Sequence, residues 1–421
     1  MPKVSVIMPV YNSGEYLNEC VDSIIQQTFT DWELLCVDDA STDESLTILS
    51  AYVNKDVRIK VLQQEHRGAG AARNLGLKNA LGEYLLFLDS DDFFEPNLIE
   101  DVYSRAKEKE ADIVIYHVRQ FDNASRKLIE CNWAFQDSFY PFDVFSYKDN
   151  PQKIFNAFQL CPWNKMFRRQ FVIDNNIEWQ EITHTNDFYF CCKALMCAQR
   201  ITLVKEKLVN YRVNLENNLQ STNHEAPLDF YKALQKVYEY LRATNRLEEV
   251  KESFFNRALR VCLYNLDANP KTDAKAYIYE FLKFQGFAAI GLQDYICENP
   301  EKMVEFKKYE KLINSDILGY LPQTISLQQS NNKLQTENQK LKHEIFALQK
   351  EGLKQSQTVT KLQDSNKKQH NEILRLQAES KKLYSNNSKL RKNYRDISNS
   401  LSFRLGRVIT YIPRKIRDLL K

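Results

Sequence analysis

Residues 82–96 read GEYLLFLDSDDFFEP, an apolar run that ends abruptly on Asp89, Ser90, Asp91 and Asp92. A short apolar run bounded by glycine and proline is the pattern of a strand buried on both faces. Two upstream stretches repeat the arrangement: VSVIMPV (4–10) ends on Tyr11-Asn12, and ELLCV (33–37) ends on Asp38-Asp39. Amphipathic, helix-like segments separate these runs, one at 15–27 and another after Asp43, and a third apolar run follows as RIKVLQQ (58–64). Strands alternating with helices predict an α/β domain with a mainly parallel sheet. Ligands of such sheets bind outside the carboxyl ends of the strands, where the three polar clusters fall.

Beyond residue 100 the pattern stays mixed, with EDVYSRAKEKE (100–110) reading as a helix and ADIVIYHV (111–118) as a strand, and from 226 it is almost wholly helical. From Leu327 the spacing becomes a strict seven: Leu334, Leu341, Leu348, Leu362, Leu376, Leu383, Leu390 and Ile397, with Gln355 and Gln369 in phase. The facing heptad positions include Asn331, Asn338, Asn366 and Asn387, and leucine opposite buried asparagine predicts a parallel two-stranded coiled coil. A homodimer through 327–397 is therefore expected, although a polar single helix or a disordered linker fits the same composition. The predicted organisation is 1–225 (a nucleotide-binding half, 1–100, and an acceptor half, 101–225), a helical region 226–322, a coiled coil 323–398, and a C-terminal helix 399–421.

That last segment, LSFRLGRVITYIPRKIRDLLK from Leu401, spaces apolar residues at three and four and sets Arg404, Arg407, Arg414, Lys415, Arg417 and Lys421 largely elsewhere. An amphipathic basic helix suits an anionic membrane surface; packing back on the protein is the plainer alternative. The net charge of +3 is also split, because 326–421 holds 21 Lys/Arg against 8 Asp/Glu, leaving 37 against 47 for 1–325. An acidic first half without a nucleic-acid motif argues against nucleic acid as a partner. Nine scattered cysteines lack zinc-site spacing and read as reduced thiols. With neither a signal-peptide pattern nor a long apolar span, the expected location is cytoplasmic, peripheral on the inner face of the cell membrane.

Carboxylates forced together at the end of 84–88 repel one another, and a divalent cation is the natural remedy; oxygen ligands of this type suit Mg²⁺ or Mn²⁺. A D-S-D-D string also serves as a helix cap or an acidic turn. Ser41 or Asp43 is adequate to cap the helix after 43, which leaves Asp38 and Asp39 unexplained by capping. The glycines of HRGAGAARN (66–74) allow backbone to approach a ligand, and Arg73 can bind phosphate or a base carbonyl.

PKVSVIMPVYNSGEYL, ELLCVDDASTDES, HRGAGAARNLGL and GEYLLFLDSDDFFEP, in this order, resemble the N-terminal half of family 2 glycosyltransferases with the GT-A (Rossmann-like) fold. The resemblance is close over 3–100 and looser over 160–215. It implies an inverting, metal-dependent transfer of a sugar from a nucleotide diphosphate donor, a UDP-sugar by family majority, to a membrane-associated or lipid-linked glycan. By the same resemblance Pro9 and Tyr11 line the base pocket with Tyr11 stacking on the base, Asp39 accepts from the base, Asp38 supports that turn and Arg73 contacts the nucleotide. Asp91 is the expected metal ligand, and Asp89 lies near the ribose and sugar.

CPWNKMFRRQFV (161–172), THTNDFYFCCKAL (183–195) and VNYRVN (209–214) are similar to the family's W-N-K, E-D and Y-R elements. Asp187 matches the general base, with an N-cap as its alternative role. Asn186 replaces the customary glutamate, which removes a negative charge beside it. Trp163, Asn164 and Lys165 are expected near the acceptor or the diphosphate by the same likeness, while His184 is a rival base or donor ligand by proximity, or a structural histidine. The ending SLSFRLGR also looks like a tail of bacterial polysaccharide-assembly members. Two other functions compete: a non-catalytic coiled-coil scaffold with a degenerate transferase domain, and a sugar nucleotidyltransferase, which would want a glycine-rich phosphate loop where this chain has Pro9-Val10-Tyr11-Asn12.

Overall fold

The computed structural model describes residues 1–131, 133–215 and 222–316, and beyond them positions 320, 340, 365, 367–369, 371–373, 375–377 and 379. The chain divides into two units, Met1–Leu282 and Lys283–Lys421.

In the first unit the apolar runs become strands β1 (Val4–Val10), β2 (Trp32–Asp38), β3 (Ile59–Gln63) and β4 (Tyr84–Phe87). The intervening amphipathic segments become α1 (Gly14–Ile25) and α2 (Ser45–Val53), and the glycine-containing stretch after β3 becomes α3 (Gly68–Asn79). Further along come β5 (Phe93–Phe94), α4 (Leu98–Glu108), β6 (Ile113–Asp122), β7 (Lys127–Ile129), α5 (Ile154–Ala157), β8 (Lys165–Arg168), α6 (Arg169–Asp174), α7 (Asp187–Cys197) and β9 (Ile201–Val213). Three long helices follow, α8 (Asp229–Ala243), α9 (Leu247–Ala268) and α10 (Thr272–Phe281).

The strands form one sheet in the order β3-β2-β1-β4-β8-β6-β9-β5, with β7 paired to β6. It is mixed, which corrects the expectation of a mainly parallel sheet: β3, β2, β1 and β4 are parallel, but β8 runs antiparallel to both β4 and β6, and β5 antiparallel to β9. A parallel neighbour needs a long crossover, usually a helix packed on the sheet face. The described residues between β7 and β8 hold only short helical turns, and the chain re-enters between β4 and β6 in the opposite sense. An apolar run specifies burial but carries no direction.

The registers Val10↔Asp38 and Ile7↔Phe87 bring the ends of β1, β2 and β4 to one rim. Pro9 tolerates a central strand because β4 pairs only with Val4–Ile7, so Pro9 lies past its end. Burial of side chains such as Ile7, Leu35, Leu86, Phe167 and Phe190 contributes about 1.5–3 kcal/mol each. Helix α9 braces the segment around α5: Arg257 donates to the carbonyls of Phe155 (2.5 Å) and Phe158 (2.8 Å), and Ser253 Oγ accepts from Phe155 N–H (2.8 Å).

In the second unit, α11 (Phe287–Ala289), α12 (Leu292–Glu298) and α13 (Phe306–Asn314) surround a small core in which the rings of Phe287 and Tyr309 lie 5.3 Å apart. The heptad segment 327–397 and the basic segment 399–421 lie outside the described residues, apart from scattered helical positions; at these Arg375 pairs with Glu372 and Glu379, each at 3.2 Å. No helix among the described residues is long and apolar enough to cross a membrane.

Candidate active site

At the rim of β1 and β2, Asn12 (φ 49°) and Ala40 (φ 61°) adopt left-handed backbone, so both strands turn sharply. The turns are latched together, Ser41 Oγ accepting from Asn12 N–H at 3.0 Å and Asn12 Oδ1 from Thr42 N–H at 2.8 Å. Asp39 is 2% exposed: Oδ1 accepts from Gln64 Nε2 (2.6 Å) and Arg67 N–H (2.8 Å), and Oδ2 accepts from Gly68 N–H (2.8 Å). The carboxylate thus ties β2 to the start of α3, where backbone N–H groups otherwise lack partners. Asp38 is also buried, and its Oδ1 has no hydrogen-bond partner among the described residues. Tyr11, by contrast, is exposed and stacks on the His66 ring at 4.3 Å.

The end of β4 meets the loop before α7 through one guanidinium. Arg73, buried on α3, donates to Asp89 Oδ1 at 2.6 Å and to Asn186 Oδ1 at 2.9 Å, and lies 4.8 Å over the Trp179 ring. Helix α3 can come this close because Gly70 lacks a side chain: a Cβ there would stand 2.1 Å from the carbonyl oxygen of Gln180. Asn74 completes the seam, exchanging two hydrogen bonds with the backbone of Trp179 at 2.9 and 3.1 Å. The backbone admitted by Gly70 is therefore the protein's own, not a ligand's. The loop is also strained, since Thr185, a β-branched residue, holds φ 58° immediately before Asn186 and Asp187.

Asp187 opens α7 as its first residue; the N-cap is Asn186, and neither a capping bond from Asn186 nor an ion pair to Asp187 is present among the described residues. Burial pushes the Asp187 carboxyl up to about 6, with Arg73 pulling down and Asp89 pushing up. Burial, then the charge of Asp89, likewise raises Asp91. Fully buried Asp92 is raised further; it accepts from Arg212 N–H at 2.8 Å, and its Oδ2 has no partner among the described residues. Asp89 is paired with Arg73, which leaves Asp91 and the fully buried Asp92 as the carboxylates after β4 without an ion-pair partner among the described residues. No cluster of three His, Cys, Asp or Glu residues among them is arranged to hold a metal. Asp91 and Asp89 could contribute one or two carboxylates to a cation whose other ligands come from substrate phosphates, the usual Mg²⁺ arrangement.

The W-N-K residues are walls. Asn164 and Lys165 are fully buried, and the Lys165 ammonium spends its three protons on Gln159 O (2.5 Å), Cys161 O (2.8 Å) and Asn164 Oδ1 (2.6 Å). An ammonium with three partners has no donor left over in this arrangement. Trp163 stacks on Tyr211 at 5.0 Å, with Trp133 edge-on at 5.8 Å. His184 is buried, its ring Nε2 within 3.1 Å of Thr222 O and its backbone N–H bonded to Asp229 Oδ2, and burial holds its pKa down. Sequence reading did not foresee Trp179 beneath Arg73 or the place of His66; both are set by loop conformation, which has no periodic signal.

The family model for glycosyl transferase family 2 matches residues 5–175. EpsH of Bacillus subtilis is 29% identical over 320 residues, 71% of this chain and 84% of that protein. The cholesterol galactosyltransferase of Borreliella burgdorferi is 30% identical over 322 residues, 74% of this chain and 82% of that protein. The poly(ribitol-phosphate) beta-N-acetylglucosaminyltransferase TarS of Staphylococcus aureus is 29% identical over 268 residues, 61% of this chain; the chain spans only 44% of TarS. The crystal structure of TarS residues 1–349 with UDP-GlcNAc matches with a TM-score of 0.57 and 25% identity, over 76% of this chain and 89% of that one.

Proposed function

Since this chain belongs to glycosyl transferase family 2, we propose that it moves a sugar from a nucleotide diphosphate donor, a UDP-sugar, to a hydroxyl of a bacterial cell-surface glycan, with inversion at the anomeric carbon. The observation that carries this reading is Arg73, whose one guanidinium holds both Asp89 and Asn186 and so gathers the strand-end carboxylates and Asp187 around one rim. The UDP-GlcNAc complex of TarS supports the choice of donor, and TarS as a poly(ribitol-phosphate) transferase supports a cell-surface acceptor.

In this mechanism the rim of β1 and β2 binds the nucleoside. Asp187 accepts the proton of the acceptor hydroxyl as its oxygen attacks the anomeric carbon; the bond to the diphosphate breaks on the opposite face, and its electron pair leaves on the diphosphate oxygen. A carboxylate raised to about 6 is a stronger base than an ordinary one yet stays largely ionised at pH 7. Asn186 preserves the bond to Arg73 that a glutamate oxygen would make, without its charge. Mg²⁺ or Mn²⁺ held by Asp91 would supply positive charge to offset the departing diphosphate. The segment 327–397 would pair two copies, and 399–421 would hold them at an anionic membrane surface facing a lipid-linked acceptor; flotation with anionic liposomes, lost on deleting 399–421, tests that part.

The test of the activity is binding and hydrolysis of a panel of nucleotide sugars with Mn²⁺ or Mg²⁺. One donor should bind in a metal-dependent way; Asp91→Asn should weaken its binding, and Asp187→Asn should abolish turnover while leaving binding intact. A protein that binds none of the donors would instead be a scaffold.

A further inference from the structure

Resting on the reading of this rim as a transferase site, we propose that Trp179 is a positioning residue: its indole face holds the Arg73 guanidinium in the orientation that binds Asp89 and Asn186. The Arg73 side chain is almost wholly removed from water, at 7% exposed. One terminal nitrogen donates to Asp89 Oδ1 at 2.6 Å, the other to Asn186 Oδ1 at 2.9 Å, and the buried Nε has no partner among the described residues. The N–H bonds of a guanidinium lie in one plane, so two of them fix the edge of the fork but not its tilt. The Trp179 ring, centred 4.8 Å from the guanidinium carbon, bounds one face and supplies that missing constraint. Tryptophan is the strongest aromatic partner of a cation, and the attraction grows where water is excluded.

The ring is itself held by the elements it serves. It stacks on Phe190 at 4.1 Å and 12°, in α7 three residues after Asp187, and meets Phe87 edge-on at 5.0 Å, two residues before Asp89. Asn74, next to Arg73 on α3, fixes the Trp179 backbone through two hydrogen bonds. One indole therefore sits where β4, α3 and α7 converge, the elements that carry Asp89, Arg73 and Asp187. A side chain that only filled this space would need volume alone; contact with a guanidinium and with a parallel ring needs an aromatic face. Losing the face lets the fork tilt away from Asn186, and with Asn186 goes the placement of Asp187 beside it. Trp179 is 4% exposed, so its effect on the reaction passes through Arg73.

A double-mutant cycle separates this role from plain packing. Sugar transfer by the full chain is measured under single-turnover conditions, with thermal melts to confirm folding. The variants are Trp179→Met, which fills much of the space without a ring, Trp179→Phe, which restores one, Arg73→Gln, and each Trp179 change combined with Arg73→Gln. Trp179→Leu is the second ring-less variant should Trp179→Met not fold.

Trp179→Met should slow transfer by about tenfold or more, and Trp179→Phe by about threefold or less. Combined with Arg73→Gln, which leaves no cation to hold, the ring-less change should cost less than about a further twofold. Equal fold-losses with and without Arg73→Gln, or a Trp179→Phe as slow as the ring-less variant, overturn the assignment. A wild type that transfers no sugar from any nucleotide sugar overturns the transferase reading and this assignment together, a result distinct from an active wild type whose losses multiply.

Discussion

Replacing Arg73 by glutamine should move the acid limb of the pH–rate profile. The guanidinium is the main influence holding the Asp187 carboxyl down against burial, and the carboxyl still sits at about 6. Positive charge favours the ionised carboxylate, so its removal raises the carboxyl, by about one pH unit for a neighbouring charge. At pH 7 the ionised fraction then falls from about nine-tenths to about one-half. A second loss is added because Asp89 forfeits a 2.6 Å charge-assisted bond and Asn186 its anchor. A hydrogen bond to a charged group is worth about 1.5–3 kcal/mol, with the lower end expected here since Asp89 is 28% exposed and can rehydrate. The assay is kcat/KM for sugar transfer from pH 5 to 9, with thermal melts to confirm folding. In Arg73→Gln the limb should shift from about 6 toward about 7. Arg73→Lys keeps the charge, so its limb should stay near the wild-type position while the rate drops, because one ammonium does not reproduce a planar fork with two partners. A limb in Arg73→Gln that coincides with the wild type would show that Arg73 does not set the charge state of Asp187.

Two further outcomes follow from the same geometry. Asp187 and Asp91 are raised above the values they hold in an unfolded chain, so between about pH 4 and 6 the native state keeps protons that the unfolded chain releases. Stability therefore declines as pH rises through that window, and Asp187→Asn should melt at or above the wild-type temperature at pH 7.5, by a few degrees, while transferring no sugar; a clearly lower melting temperature would contradict the burial penalty. Gly70→Ala places a Cβ 2.1 Å from the Gln180 carbonyl oxygen and must push α3 off the 179–186 segment. It should cost about 1–3 kcal/mol in a denaturant titration and lower kcat/KM by at least about tenfold, whereas wild-type values for both would show that the seam yields freely.

Much of the first unit was legible because its signals are local. Apolar runs of four to seven residues ending on Tyr11, Asp38 and Asp89 marked β1, β2 and β4, and parallel alternation with helices placed those three ends on one rim. Asp187 was found by likeness of its flanking motif. The direction of β8 was not legible, since an apolar run reads the same in either sense and pairing is decided by which gap remains in the sheet. Nor were the contacts of single side chains. No local pattern foretells that the Lys165 ammonium gives its protons to Gln159, Cys161 and Asn164, or that the Asp39 carboxylate accepts from the first N–H groups of α3.

The sequence by itself determined the strand ends, the family and the residues able to do acid–base and phosphate chemistry, because these follow from residue type and short-range periodicity. Only the tertiary structure decided which of them meet. Arg73 and Asn186 lie 113 positions apart, and their bond exists because α3, with no side chain at Gly70, packs against the loop that carries Asp187.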